Sequence, residues 1–245
     1  MQRLIPRAVV FDCDGTLVDS ELIHAKALQG ALAELGVAST PQQIRAQSVG
    51  VANADFLRRV AEERGLTLPA AIETVVEDIA LGLISDELRP IEGAREVVRA
   101  LATRGVRLAV ASNSSRRLVR RMLSATGLSS AFGERIVTCE DVAAPKPAPD
   151  IYRLATSLLS AGSEDSLAVE DSPVGVAAAR RSGMAVVGFC PPSATFSGHE
   201  LMRAGAFAVI PDLRELLRWP FRVDAPGLGQ STGVPDMTRS EEQVP

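Results

Sequence analysis

The sequence predicts an α/β fold: a doubly wound parallel sheet interrupted early by a block of helices. Three observations carry that expectation. Short apolar runs alternate with helical patterns along most of the 245 residues, as in a parallel sheet covered by helices on both faces. Several of these runs end in carboxylate, hydroxyl or ammonium side chains. Between the first run and its expected partner, roughly seventy residues carry helical periodicity alone.

In chain order, Ala8–Phe11 is continuously apolar, as a strand buried on both faces reads, and it stops at Asp12. Leu22–Leu35, Asn53–Arg64 and Ala70–Ile84 follow with helical spacing and no convincing strand among them. This block is expected to form an inserted helical domain with borders near Leu17–Asp19 and Leu88–Pro90. It leaves from the C-terminal end of a strand, where open α/β sheets bind ligands, a position suited to a mobile lid.

Alternation then resumes. Helices are expected at Ala94–Thr103, Arg116–Thr126, Asp150–Leu159, Val174–Ser182 and Leu213–Leu217. Strands are expected at Arg107–Ser112, Ser166–Glu170 and Ala185–Phe189, with weaker ones at Ile136–Cys139 and Phe207–Ile210. From about Pro220 the chain is rich in Pro, Gly and polar residues without periodicity, the composition of a disordered or loosely draped tail. The expected organisation is a core from 1–17 and 89–219, a helical cap domain over 18–88, and a tail over 220–245.

Composition narrows the function classes. With 46% hydrophobic and 23% charged residues the chain reads as soluble and globular. A net charge of −4 leaves no large basic field for nucleic acid or an anionic membrane. Cys13, Cys139 and Cys190 are far apart and odd in number, so they form neither a CxxC unit nor a disulfide framework. Met1–Arg7 lacks the apolar run of a signal peptide, and no stretch approaches the roughly 20 apolar residues of a membrane span. A cytoplasmic protein, monomeric by default, is expected.

The chemistry concentrates at the strand ends. Asp12 and Asp14 flank Cys13 directly after the first strand, and residues two apart in extended backbone point to one side. Two carboxylates so close call for a cation or a proton, and Gly15 lets the chain turn away. An ordinary turn after a strand would read similarly. Ser112-Asn113-Ser114 closes the Arg107–Ser112 strand with hydroxyl and amide groups at a helix start, where a phosphate oxygen or a plain N-cap fits.

Lys146 stands between Pro145 and Pro147, which stiffen its loop and fix where the ammonium points. Of 26 Lys and Arg residues only Lys26 and Lys146 are lysines. Glu170-Asp171-Ser172 follows the Ser166–Glu170 strand and offers hard oxygen ligands suited to Mg²⁺, or a helix N-cap. A parallel sheet brings Asp12, Asp14, Ser112, Lys146, Glu170 and Asp171 to one edge, and their coincidence there is what points to a phosphate-handling site.

The motifs FDCDGTLVDSE, VASNS, APKPAPDIY and VEDS, in that order, resemble those of the haloacid dehalogenase superfamily over roughly Arg7 to Leu217. The resemblance implies a Rossmann-like core with a C1-type helical cap, of the sugar-phosphate phosphatase and β-phosphoglucomutase-like branch. It implies that Asp12 is the nucleophile forming an aspartyl-phosphate, and that Asp14 is the acid and base for leaving group and water. It implies that Mg²⁺ is held by Asp12, the Asp14 backbone carbonyl and Asp171, with Glu170 as a further ligand or support. Ser112, Asn113 and Lys146 would hold the phosphoryl group of a small-molecule phosphate ester.

Asp14 argues against the dehalogenases and phosphonate hydrolases, which lack that second aspartate. The mutase of this branch also has a histidine where His24 stands, placed to meet the Asp14 neighbourhood or the sugar. It further uses a cap arginine for a second phosphate. Alignment on Gly50-Val51 puts Asn53 there, and Arg58 and Arg59 lie a turn or more beyond and point elsewhere. Hydrolysis of a sugar or sugar-acid phosphate is therefore expected, with a phosphosugar mutase as the alternative.

Overall fold

The structure, a computed structural model, describes residues 2–4, 6–48, 51–218 and 221–223. The chain runs β1 (Gln2–Leu4), β2 (Ala8–Phe11), β3 (Val18–Asp19), α1 (Glu21–Glu34), α2 (Pro41–Ser48), α3 (Asn53–Arg64), α4 (Ile72–Glu87) and β4 (Arg89–Pro90). It continues with α5 (Ala94–Thr103), β5 (Arg107–Ser112), α6 (Arg116–Ala125), α7 (Ser129–Phe132), β6 (Ile136–Thr138), α8 (Asp150–Leu158) and β7 (Ser166–Glu170). It closes with α9 (Pro173–Arg181), β8 (Ala185–Phe189), α10 (Gly198–Ala204), β9 (Ala208–Ile210) and β10 (Phe221–Val223).

Six strands form one parallel sheet in the order β6-β5-β2-β7-β8-β9. The first strand thus lies inside the sheet, between β5 and β7, and their registers put Phe11 beside both Val110 and Val169. Period-two alternation splits the core. Val9, Phe11, Leu108, Val110, Leu167 and Val169 pack on one face, with α5 and α6 residues such as Val97 and Val119. Ala8, Val10, Ala109, Ala111 and Ala168 pack on the other with Ile151, Tyr152, Ala155 and Val176 of α8 and α9. Burying each large apolar side chain contributes about 1.5–3 kcal/mol, and the alanines let α8 and α9 approach closely.

The chain leaves the sheet at β3 and rejoins it at β4, which pair antiparallel with Val18 opposite Pro90 and Asp19 opposite Arg89. Between them α1 packs against α4 and α2, and α4 also lies against α6. Three helices were not expected. Helix α2 buries only Ile44, α10 only Leu201 and the four-residue α7 only Phe132, so none carries an apolar stripe visible in sequence. Leu213–Leu217 is a 3₁₀ turn. Cys139, expected to end a strand, instead opens a 3₁₀ turn because Asp141 accepts from Thr138 N (2.8 Å) and Oγ1 (2.9 Å).

β10 pairs antiparallel with β1, and the rest of the stretch 220–245 lies outside the described residues, as does Gly50. Among the described residues no helix is long and apolar enough to cross a membrane.

Candidate active site

The strand ends at the sheet's C-terminal edge build the site. Asp12 extends the β2 ladder by one residue, its N–H donating to the Val169 carbonyl at 3.0 Å, while Cys13 turns into the core. Gly15 then turns the chain with φ +77°. A Cβ at Gly15 would lie 2.1 Å from Asp171 Oδ2, so only glycine lets the end of β7 stand against this turn. Thr16, fully buried, places its hydroxyl 3.4 Å from Asp171 Oδ1.

Lys146 is buried, with Nζ 2.6 Å from Asp12 Oδ1 and 2.6 Å from Glu170 Oε1. Its position is over-determined. The Asn113 side-chain amide clamps its backbone, accepting from Lys146 N at 2.9 Å and donating to its carbonyl at 3.2 Å. The Tyr152 ring lies 5.2 Å from the ammonium, and the Tyr152 hydroxyl donates to Glu170 Oε1 at 2.6 Å. Glu170 Oε2 takes the Ser172 hydroxyl at 3.1 Å. Behind it comes Gly175 in the first turn of α9, where a Cβ would fall 1.8 Å from Glu170 Oε1.

Asp14 is held on both oxygens. Oδ1 accepts from Ser20 Oγ (2.7 Å) and lies 3.0 Å from His24 Nε2; Oδ2 accepts from Ser112 Oγ (3.2 Å) and Ser114 Oγ (2.8 Å). Ser112 also accepts from Ser114 N at 3.0 Å, so its hydroxyl is shared between the helix start and the carboxylate. His24 brings α1 onto the turn after β2.

Charge explains the titration of these groups. Burial, joined by the charges of Glu170 and Asp14 and opposed by Lys146, pushes Asp12 up to about 8. Burial and the charges of Asp12 and Glu170 carry Asp171 well above the carboxylate range. Burial works against the Lys146 ammonium, but Asp12 and Glu170 outweigh it and hold its pKa well above the usual value. Asp14 goes the other way: burial would raise it, yet the His24 contact and the serine hydroxyls bring it well below. His24 is correspondingly raised, the bond and charge of Asp14 overcoming burial. Burial raises the Cys13 thiol, which makes it no rival nucleophile.

Asp12, Glu170 and Asp171 each offer an oxygen within 4.8 Å of the others. Surplus negative charge shared among hard oxygen donors is what a divalent cation neutralises, so the cluster fits a metal ion. Two surface hollows of about 530 and 480 Å³, along Arg95–Arg104 and between Pro6 and Arg107, contain none of these groups; the chemistry, not the concavity, marks the site.

The structure thus brings Asp12, Asp14, His24, Ser112, Asn113, Lys146, Glu170 and Asp171 together. Sequence reading did not single out Ser20, Ser114, Tyr152 or Gly175. Ser114 had a signal, being two residues from Ser112, and so did Ser20, one helical turn before His24. Tyr152 and Gly175 read as core aromatic and helix residue.

A family model described as haloacid dehalogenase-like hydrolase matches residues 6–183. The chain is 29% identical over 184 residues to the 6-phosphogluconate phosphatase of Escherichia coli, covering 75% of this chain and 82% of that one. It is 30% identical over 242 residues to the β-phosphoglucomutase of Mycobacterium bovis, covering 86% and 91%. Among solved structures it resembles CbbY of Rhodobacter sphaeroides in complex with phosphate, with a TM-score of 0.74 and 27% identity over 86% of this chain and 96% of that one.

Proposed function

This chain belongs to the haloacid dehalogenase-like hydrolase family, and we propose that it is a magnesium-dependent phosphatase that hydrolyses a small phosphorylated metabolite, a sugar or sugar-acid phosphate, through an aspartyl-phosphate on Asp12. The observation that carries this reading is the Lys146 ammonium, 2.6 Å from Asp12 Oδ1 in a buried site. Burial lifts Asp12 to about 8, so it attacks as the carboxylate once a bound cation offsets that burial, and it must then meet a phosphoryl group that is itself anionic. Lys146 offsets that repulsion and fixes the direction of approach.

In the first step an Asp12 oxygen bonds to phosphorus as the ester oxygen leaves. The departing alkoxide takes a proton from the Asp14–His24 pair, which shares it across 3.0 Å. With Asp14 lowered and His24 raised, that proton rests on His24 and reaches the alkoxide through Asp14. In the second step Asp14 accepts a proton from water, which opens the aspartyl-phosphate and releases inorganic phosphate. Magnesium would be held by Asp12, Asp171 and the Asp14 carbonyl, with Glu170 as ligand or support, and supplies positive charge to the phosphoryl oxygens. The helices between β3 and β4 serve as the lid domain, and we place the enzyme in the cytoplasm as a monomer.

A phosphosugar mutase is the second reading, favoured by the His24–Asp14 contact and the resemblance to a β-phosphoglucomutase. Against it, Asn53 is exposed at the start of α3. Arg58 pairs with Asp55, and Arg59 donates to the Gln47 carbonyl and lies over Phe56. Both arginines are thus engaged within α2 and α3. The test is phosphate release from a panel of sugar and sugar-acid phosphates, with Mg²⁺ and with excess EDTA, including β-glucose 1-phosphate. Metal-dependent free phosphate supports hydrolysis. Glucose 6-phosphate formed with little free phosphate establishes the mutase.

A further inference from the structure

Away from the catalytic strand ends, at the opposite edge of the sheet, the local charge reverses. Arg107 opens β5, and its N–H donates to the carbonyl of Arg7, which leads into β2. The two surface hollows of about 530 and 480 Å³ adjoin at Arg104, where α5 ends. One runs along α5 and is lined by Arg95, Arg99 and Arg104; the other is lined by Arg7, Arg104 and Arg107. Among the described residues Glu96 is the one acidic side chain in either lining, and Arg214 already holds it at 3.0 Å. In a chain of net charge −4, five guanidinium groups along one groove make a positive field against the overall sign.

These arginines are oriented but not neutralised. Arg95 Nε donates to the Thr126 carbonyl at 2.6 Å, Arg104 Nη1 to that of Leu217 at 3.2 Å, and Arg107 Nη1 to those of Leu159 and Ser160. Each uses a single guanidinium nitrogen in this way and keeps the N–H groups of the other two. The Arg99 side chain has no hydrogen-bond or ion-pair partner among the described residues. Of the five, only Arg7 meets a carboxylate among the described residues, Asp165 at 3.9 Å. Pro6 and Leu101, both buried, and the half-buried Val106 give the second hollow an apolar floor.

We propose that this arginine-lined groove is a second binding site, for a small molecule that carries an oligophosphate chain. Guanidinium groups with N–H pairs to spare match phosphate oxygens two at a time. Arg95 and Arg104 stand nine residues apart, about 13 Å along the helix axis, so one phosphate cannot meet both, whereas a string of them can. Both hollows are of the size that small-molecule sites have. The site is remote from the chemistry, for Arg107 and Ser112 lie at opposite ends of β5, roughly 17 Å apart at the rise of a strand. Two sources share this ligand chemistry. A nucleoside triphosphate would also lay its base on Pro6, Leu101 and Val106, while an inorganic oligophosphate would leave that floor uncovered.

Isothermal titration of the full chain with ATP, tripolyphosphate and inorganic phosphate tests this, in metal-free buffer so that the carboxylate cluster holds no divalent ion. Both oligophosphates should bind at one site per chain, about tenfold or more tighter than inorganic phosphate. Arg99→Ala combined with Arg104→Ala should weaken them by about tenfold or more. Both side chains are exposed, so the melting temperature should stay that of the wild type. Lys146→Ala and Ser112→Ala, at the catalytic edge, should leave the dissociation constant within about twofold. So should Arg64→Ala on α3, which removes an exposed arginine elsewhere. ATP binding about tenfold tighter than tripolyphosphate assigns the site to a nucleoside triphosphate, and ATP binding no tighter assigns it to the inorganic chain. The proposal is overturned by absence of binding, by binding lost in Lys146→Ala or Ser112→Ala but kept in the double arginine variant, or by equal weakening in Arg64→Ala.

Discussion

His24 Nε2 stands 3.0 Å from Asp14 Oδ1, so a helix inserted between two short strands touches the carboxylate delivered by the first long one. The contact couples two charge states. His24 is raised above its ordinary 6.5, so its contribution to stability is complete below that value and is lost as pH rises through the folded pKa. Asp14 is lowered from 3.8, so its contribution is present above that value and is lost as pH falls through the folded pKa. The pair therefore stabilises most between 3.8 and 6.5. Thermal denaturation of His24→Gln against the wild type should show the largest difference near about pH 5 and a smaller one near about pH 9. A difference independent of pH would mean that the contact carries no charge.

Asp12→Asn keeps the shape of the side chain and removes the nucleophile. Turnover should vanish in a phosphate-release assay while the circular dichroism spectrum remains that of the wild type. Activity retained by this variant would assign the nucleophile elsewhere.

Lys146→Ala removes a cation shared by Asp12 and Glu170. The transition state should lose roughly 2–4 kcal/mol, read from kcat/KM. Stability should fall by about 3 kcal/mol in denaturant titration, because Glu170 is left buried without its counter-ion. An unchanged kcat/KM would make the lysine structural only.

Gly175→Ala pushes a methyl to within 1.8 Å of Glu170 Oε1, so the carboxylate must move and release Lys146 and Tyr152. The expected cost is about 1–3 kcal/mol of stability, with turnover reduced at least about tenfold. Gly82→Ala in α4 is the control: nothing lies within 4 Å of its added Cβ, and the change should stabilise by about 0.5–1 kcal/mol. Equal effects from the two variants would argue against a packing limit behind Glu170.

Much of the fold was legible because its strands are buried on both faces. Ala8–Phe11 and Ala185–Phe189 are apolar throughout or nearly so, Arg107–Ser112 and Ser166–Glu170 are apolar between polar ends, and the structural bounds of all four coincide with the expected ones. Helix α2 was invisible because a helix that buries one residue has no stripe to read. In the site, Asp12, Lys146 and Asp171 could be placed together because charge at successive strand ends is rare. The support around them could not. Ser20 and Ser114 are ordinary hydroxyls until a carboxylate is seen between them, and Gly175 sits within a helix where nothing in sequence reports the oxygen behind it.

Val18 opposite Pro90 and Asp19 opposite Arg89 make the exit and return of α1–α4 a pair of adjacent chain crossings. Such a junction is a socket: everything between the crossings could be excised and another insert fitted without altering the spacing of the sheet. Asp12, Lys146 and Asp171 would stay with the scaffold, while Ser20, Glu21 and His24 would travel with the insert. New substrates could then be acquired by exchanging one module, provided that the newcomer brings its own partner for Asp14.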